Sequence, residues 1–473
     1  MNLRCQNLVI GSGPGGSVTA GLLAEHGRDV VLVEEGPGEE AGDCEPFSKD
    51  EMVLRYRNRG LNPAMGSPKI AFVEGCCLGG GSEINSGLYH RTPPEILEGW
   101  RQDYGLDGAT MEDMLPHCQA VEKSLNLCYS PGPIPAASQK LKQGAEALNW
   151  SVMELPRWVA YQPGKQNLDG TPACERMGMT RTWIPRAAAA GARILTGTRI
   201  LRLEHRANTW VAHAHGREAF EIQADHVFLC CGPVQTPLLL RRAGIRHNVG
   251  NTLALHPTVK VIALFDDEVN SEGAGVPFHQ VKQFAPDITF GSSISSPPHM
   301  AMALTNHPNE RPRIIENWKH ASIYYAAVRG PATGAVRSFP FTGDPYITYE
   351  TGVVALAKLA RGVADLCRLL FAAGATELFP TVPDQGSYTT PDHLRRIPQA
   401  LPAGSSLMSI HLFCSCPMGE SRQRCAVDSW GRVFDVPGLS VHDASIFSDA
   451  PSVNPQGSVM AFAHRNTLRF LEG

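Results

Sequence analysis

The thirty-one residues from Leu8 to Gly38, LVIGSGPGGSVTAGLLAEHGRDVVLVEEGPG, constrain the fold more than any other stretch of this chain. Leu8 to Ile10 is a short apolar run, and Gly11, Gly13 and Gly16 follow it as G-x-G-x-x-G. Val18 and Leu22 stand one helical turn apart on a stretch that Gly27 stops. Val30 to Val33 is then an unbroken aliphatic run, as a strand buried on both faces requires, and it ends on Glu34. The pattern is a complete βαβ unit. Glycine lets the backbone turn sharply and lets a pyrophosphate approach the amides at a positively polarised helix N-terminus. A carboxylate at the end of the second strand then binds a ribose hydroxyl; Glu34 holds that place, with Glu35 as the alternative. The glycine triplet alone is a weak signal, but here the strands, helix and acid flanking it are all in register.

A chain of 473 residues is too long for one compact core and suits about two domains. Its 42 basic and 46 acidic residues give a net charge of −4, without the basic block that a nucleic-acid partner or an anionic membrane would call for. The first strand begins by Leu8, which leaves no room for a secretory leader. Thirteen cysteines, with adjacent pairs at Cys76-Cys77 and Cys230-Cys231, read as reduced thiols, so a cytoplasmic location is expected. The longest apolar helix, Val353 to Ala373, carries Lys358, Arg361, Asp365 and Arg368 on one face and Val353, Leu356, Leu359, Val363, Leu366 and Leu370 on another. That is a half-buried helix, and no transmembrane segment is expected.

Along the chain, GCCLGGGSEINSG crowds Gly75, Gly79, Gly80, Gly81 and Gly87 into thirteen residues. With the short hydrogen-bonding side chains Ser82 and Asn85, it reads as a second cofactor contact. Residues 93 to 185 read as part of a second domain inserted into the first. The run ADHVFLCCGPVQTPLLL, with a strand over Val227 to Cys231 and a turn at Gly232-Pro233, returns the chain to the nucleotide-binding sheet. Strand-like runs KVIALF, ASIYYAAV and PYITYE then predict an antiparallel sheet with a covering helix, suited to walling a substrate pocket. Tyr324, Tyr325 and Arg329 lie in or just beyond it and read as ordinary sheet residues. The expected division is a Rossmann-like dinucleotide domain over 1–92, 191–257 and 405–473, with a discontinuous substrate domain over 93–190 and 258–404.

The last seventy residues hold SIHLFCSCPMGE and VHDASIFSDAPSVNPQGSVMAFAHRN. His411 ends a short run, and Asn454-Pro455 reads as a helix start with Asn at a cap position. A metal site at His411, Cys414, Cys416 and Cys425 is not expected. The spacing lacks paired C-x-x-C, and on a strand His411 points away from Cys414 and Cys416.

Over nearly its full length the chain resembles the glucose-methanol-choline (GMC) family of FAD-dependent oxidoreductases. The resemblance rests on Gly11 to Glu34, GGGSEIN at Gly79 to Asn85, CGPVQTPLLL from Cys231, HP at His256, and the closing H…C-x-M-G…VHDASIF…NPQ pattern. It implies FAD as cofactor and His411 with Asn454 as the catalytic pair. It also implies cofactor contacts from Cys231, Gly232, Asp443, Ala444, Pro455 and Gln456, with Asp443 by the ribityl and pyrophosphate region. Two departures stand out. Cys414 stands where the family often has glycine, and Ile84 stands where some members attach FAD through a histidine, which implies non-covalent flavin. The implied reaction is oxidation of a small alcohol to a carbonyl, with oxygen, a quinone or another acceptor taking the electrons. A neutral imidazole suits that chemistry as the base that accepts the hydroxyl proton. The alternatives are lyase or light-driven decarboxylase chemistry on the same fold, and a non-catalytic flavin-binding protein.

Overall fold

The computed structural model describes residues 2–38 and 44–473. Strand β1 (Asn2–Ile10) enters the glycine turn, helix α1 (Pro14–Glu25) leaves it, and β2 (Val30–Val33) completes the unit predicted from sequence. Gly27, at φ +72°, ends α1 in the left-handed conformation that glycine tolerates. β1 is central in a seven-stranded sheet. It pairs in parallel with β2 on one side and with β3 (Ala219–Leu229) on the other. Arg193–Leu195 extends the sheet in parallel beyond β2, and Leu439–Val441 joins β3 in parallel. Thr209–His215 and Arg199–Arg206 add two antiparallel strands beyond β3.

A second sheet of eleven strands is mostly antiparallel. Its centre is β4 (Thr258–Leu264), β5 (His279–Phe284), β6 (Ile288–Ser292) and β7 (Ala321–Val328), in the spatial order β4, β7, β6, β5. Side chains alternate across a strand. Val259, Val261, Val281, Phe290, Tyr324 and Ala326 therefore point to one face and form a core with α2 (Gly352–Ala372). Lys260, Gln280, Lys282, Thr289, Tyr325 and Ala327 point to the other. α2 has the predicted charged face, where Arg361 and Arg368 both pair with the buried Asp365. Val353, expected on its apolar side, is instead 77% exposed in the first turn.

Sheet membership does not follow the boundaries expected from sequence. Asn62–Met65 and Ile70–Phe72, from the first dinucleotide segment, pair into the second sheet. Helices Pro94–Tyr104 and Met111–Ser124, expected in the substrate domain, bury Leu97, Trp100 and Met114 in the same core as β1, with Phe447 and Phe462. The apolar stripe of an amphipathic helix requires a partner but does not name which one. α3 (Gln456–Glu472) packs between α1 and the helix Met111–Ser124. Among the described residues no helix is long and apolar enough to cross a membrane.

Burial holds several imidazoles neutral: His411 is pushed down to about 4, His226 to about 4, and His90 and His442 to about 3. An unfolded histidine titrates near ~6.5, so below that pH the unfolded chain takes up protons that the folded one refuses. This part of the stability is complete above about pH 6.5 and is lost as the pH falls towards the folded values. The melting temperature should therefore drop progressively between about pH 6.5 and 4. A melting temperature that stays flat over that range would show that these imidazoles are not held neutral.

Candidate active site

One cavity of about 530 Å³ runs from the glycine turn of α1 to the cavity face of the second sheet. At one end Gly11, Gly13 and Gly15 line it, and no side chain caps α1, so its first-turn amides have no side-chain partner there. A Cβ at Gly13, Gly81 or Gly232 would meet no protein atom within 4 Å, and all three glycines line the cavity. Glu34 lies at this end. Its Oε2 accepts from the Ser12 amide (3.0 Å) and hydroxyl (2.6 Å), and its Oε1 accepts from the Gly36 amide (2.8 Å). Burial raises its pKa against those three donors. Glu35, the alternative, is engaged by Arg57 through two guanidinium nitrogens at 3.0 and 3.2 Å.

Asp443 accepts from the Gly232 amide (2.9 Å), the Thr236 hydroxyl (2.5 Å) and the Ser445 amide (2.8 Å), which fixes the turn after β3 at the cavity. Cys231 and Ala444 line the cavity beside it, with Gly80, Gly81, Asn85, Pro455 and Gln456. Asn85 donates to Gln456 at 2.7 Å, joining the second glycine motif to the start of α3. Gly16, Gly79 and Ser82 do not line the cavity. A Cβ at Gly16 would lie 1.9 Å from the Gly11 carbonyl oxygen, so this glycine is required by packing. Ser82 bonds Gly79 and the Met179 amide, and its hydroxyl shapes the loop.

At the other end stand His411 and Asn454. Nδ1 of His411 lies 3.0 Å from Nδ1 of His256, and Nε2 lies 3.5 Å from Nδ2 of Asn454. Asn454 does not cap α3. The helix begins at Gln456 with Pro455 preceding it, and the Asn454 Oδ1 instead accepts from Nε2 of Gln280 at 3.2 Å. Gln280 also reaches His90 (3.1 Å) and the Tyr325 hydroxyl (3.1 Å). Burial first, and Lys282 second, lowers the His411 pKa to about 4; burial and His411 push His256 well below the ordinary imidazole value. Tyr325 and Arg329 line the cavity, whereas Tyr324 is buried in the core with its hydroxyl on the Ala137 carbonyl.

Sequence reading missed His256, Gln280, Lys260 and Lys282. His256 was visible in the HP pair but carried no assigned role. Lys260 alternates with apolar residues in β4 (TVKVIAL), and that polar position at period two was an available signal, whereas β5 (HQVKQF) is polar at four of its six positions and singles out neither Gln280 nor Lys282. Cys414 has φ +66°, in the left-handed region that glycine adopts without strain, which accounts for the glycine often found at this place. No group of three or more His, Cys, Asp or Glu able to hold a metal occurs among the described residues.

The residues fit a flavin dinucleotide: an open glycine cradle, the buried Glu34 carboxyl at the end of β2, and two buried nitrogens without partners, Gln235 Nε2 and His256 Nε2, on residues that line the cavity. Fold and cavity together fit a dinucleotide-binding protein with a cluster of buried polar side chains at the junction of two sheets. Two sequence models described as GMC oxidoreductase match residues 6–258 and 295–463. A GMC-type oxidoreductase of Sinorhizobium fredii is 34% identical over 98% of this chain and 94% of its own length. A long-chain-alcohol oxidase of Arabidopsis thaliana is 25% identical over 98% of this chain and 67% of its own. Among solved structures, pyridoxine 4-oxidase from Mesorbium loti superposes with a TM-score of 0.74 at 17% identity over 99% of both chains. The chain belongs to the GMC oxidoreductase family and is an FAD-dependent oxidoreductase.

Replacing Glu34 by Ala removes the carboxyl acceptor expected for the ribose and releases Ser12 and Gly36 as well. FAD affinity should fall by at least the ~1.5–3 kcal/mol of one charge-assisted hydrogen bond, measured by fluorescence titration of apoprotein. Unchanged affinity would remove Glu34 from the nucleotide site.

Proposed function

We propose that the chain oxidises an alcohol to the corresponding carbonyl compound, with His411 as general base and Asn454 orienting the alcohol oxygen. The observation that carries this reading is the convergence of His411 Nε2 and the Asn454 amide at the cavity end, 3.5 Å apart. That is room for one hydroxyl oxygen to bond both. His256 sets the tautomer: with the shared proton on Nδ1 of His411, its Nε2 keeps a lone pair for the alcohol proton. Ser409 fixes the pair by accepting from the His256 amide (3.2 Å) and donating to the His411 carbonyl (2.7 Å). Gln280 holds Asn454 by its carbonyl, which leaves the amide nitrogen turned towards His411.

Bound FAD supplies the two-electron acceptor that takes the hydride from the carbinol carbon. His411 takes the remaining proton, so the alcohol leaves as a carbonyl. The relatives named long-chain-alcohol oxidase support an alcohol substrate, and oxygen as final electron acceptor agrees with that name. Non-covalent FAD is part of the proposal, since Ile84, which lines the cavity, has no nucleophilic atom. Acid or heat should release intact FAD into the supernatant; flavin retained on the precipitated polypeptide would overturn that point.

A positioned base contributes typically ~10²–10⁴-fold in rate. His411→Ala should slow flavin reduction by that factor in stopped-flow experiments with an alcohol panel, on protein that keeps its FAD. Asn454→Ala should slow it less, because the base remains. In the parent the rate should be level from pH 8 to about 6 and fall only as the pH nears about 4, where His411 becomes protonated. An unchanged rate in the His411 variant sinks the assignment.

A further inference from the structure

Lys260 on β4 and Lys282 on β5 line the cavity from strands whose opposite face is apolar core. Neither ammonium has a carboxylate within ion-pair distance among the described residues. Lys282 bonds only the Thr289 hydroxyl, at 3.3 Å. The other charges lining this end are already paired. Asp287 binds Lys358 at 2.6 Å, and Arg329 pairs with Asp449. At the nucleotide end Glu35 and Glu74 share Arg57. The cavity wall therefore carries two half-buried cations without counter-charge, and burial lowers both to about 8, so each still carries its proton at neutral pH. They stand on the outer strands of the order β4, β7, β6, β5, and it is Lys282 whose charge reaches His411, His256 and His90, whereas that of Lys260 reaches His299. A partly desolvated cation costs stability unless an anion meets it.

We propose that Lys282 forms an anion subsite and that the alcohol oxidised here carries a carboxylate, held by Lys282 while its carbinol carbon lies at His411 and Asn454. The proposal rests on the alcohol-oxidation reading above and adds the class of substrate. The donor set favours carboxylate over phosphate. The strand amides here are consumed by the sheet ladder, and the free amides of α1 lie at the other end, which leaves the Lys282 ammonium and side-chain hydroxyls such as those of Thr289, Ser292 and Tyr325. Ile294, Met302 and Met408 line the same cavity and suit an apolar body between the two polar ends.

The test needs no turnover. FAD-replete protein is titrated with benzoate, hexanoate and decanoate, each against its primary amide, and the flavin absorption band is followed. At least one carboxylate should bind about tenfold or more tightly than its amide. Lys282→Met should weaken that carboxylate about 10- to 100-fold, the loss of one charge-assisted hydrogen bond, while amide binding stays unchanged and Lys260→Met leaves both unchanged. Amides that bind as well as the acids, or no binding by any member, overturn the subsite, and this comparison in the parent does not depend on the variants folding. A Lys282 variant with altered flavin reduction potential and unaltered carboxylate affinity also overturns it, by making that lysine a cofactor contact. In a second arm, para-hydroxymethylbenzoate and ω-hydroxydecanoate should each reduce the flavin with a kcat/KM about tenfold or more above that of the methyl ester. Equal values overturn the substrate class. Flavin reduction by neutral alcohols with no carboxylate preference leaves alcohol oxidation standing and removes the anion subsite. Tight carboxylate binding with no reduction by any alcohol does the reverse.

Discussion

A Cβ at Gly15 would lie 1.7 Å from the carbonyl oxygen of His442, and one at Gly16 would lie 1.9 Å from that of Gly11. Both obstacles are backbone atoms, so α1 can sit this deep only where side chains are absent. The first contact joins the two ends of the chain. Thr19 on α1 reaches Nδ1 of His442 at 3.0 Å, and the next residue, Asp443, ties the turn after β3 to the segment that runs on to Asn454. A glycine motif near the start and the candidate pair His411 and Asn454 near the end are thereby placed against one cavity by a contact that no longer side chain would permit.

The parts legible in sequence are those fixed by local geometry. The βαβ unit announces itself because its glycine turn, its doubly buried strand and its terminal acid each impose a residue type at a set spacing. The strand and helix around Cys231 were legible in kind but not in bounds: the strand read over Val227 to Cys231 is Ala219–Leu229, and Gly232-Pro233, read as a turn, is already the first turn of the helix Gly232–Arg242. What stayed hidden depends on choices between partners far apart in the chain. The helices at Pro94 and Met111 show an apolar stripe, but nothing local says that it faces β1 and not the second sheet. Asn454 before Pro455 has the look of a cap, yet a tertiary partner, Gln280, competes for its carbonyl and takes it. His411 was found through a motif, whereas its neighbour His256 lies 155 residues away and only the fold brings the rings together.

The second sheet separates structure from chemistry by the alternation of its strands. Tyr324 goes to the core and Tyr325 to the cavity, one residue apart. Across from Tyr325 stands Gly291, where a Cβ would lie 2.3 Å from the tyrosine oxygen. The missing side chain lets that hydroxyl lie over β6 and bond Gln280 on the strand beyond. Gln280 in turn holds Asn454, so an orienting group carried by the first fold unit is steadied by the sheet of the second.

Electrostatics couples the same two units. His411 is neutral because burial disfavours its charged form and because Lys282 adds to that penalty. In the proposed reaction, the cation that would attract an anionic substrate is thus also one that keeps His411 unprotonated before the substrate arrives. A carboxylate seated on Lys282 would cancel part of that field, and the imidazole would then hold a proton more readily than in the empty cavity. Base strength would rise when the alcohol is in place to donate. The arrangement makes proton acceptance at His411 depend on what fills the far end of the cavity, a dependence that a neutral substrate of the same shape would not produce.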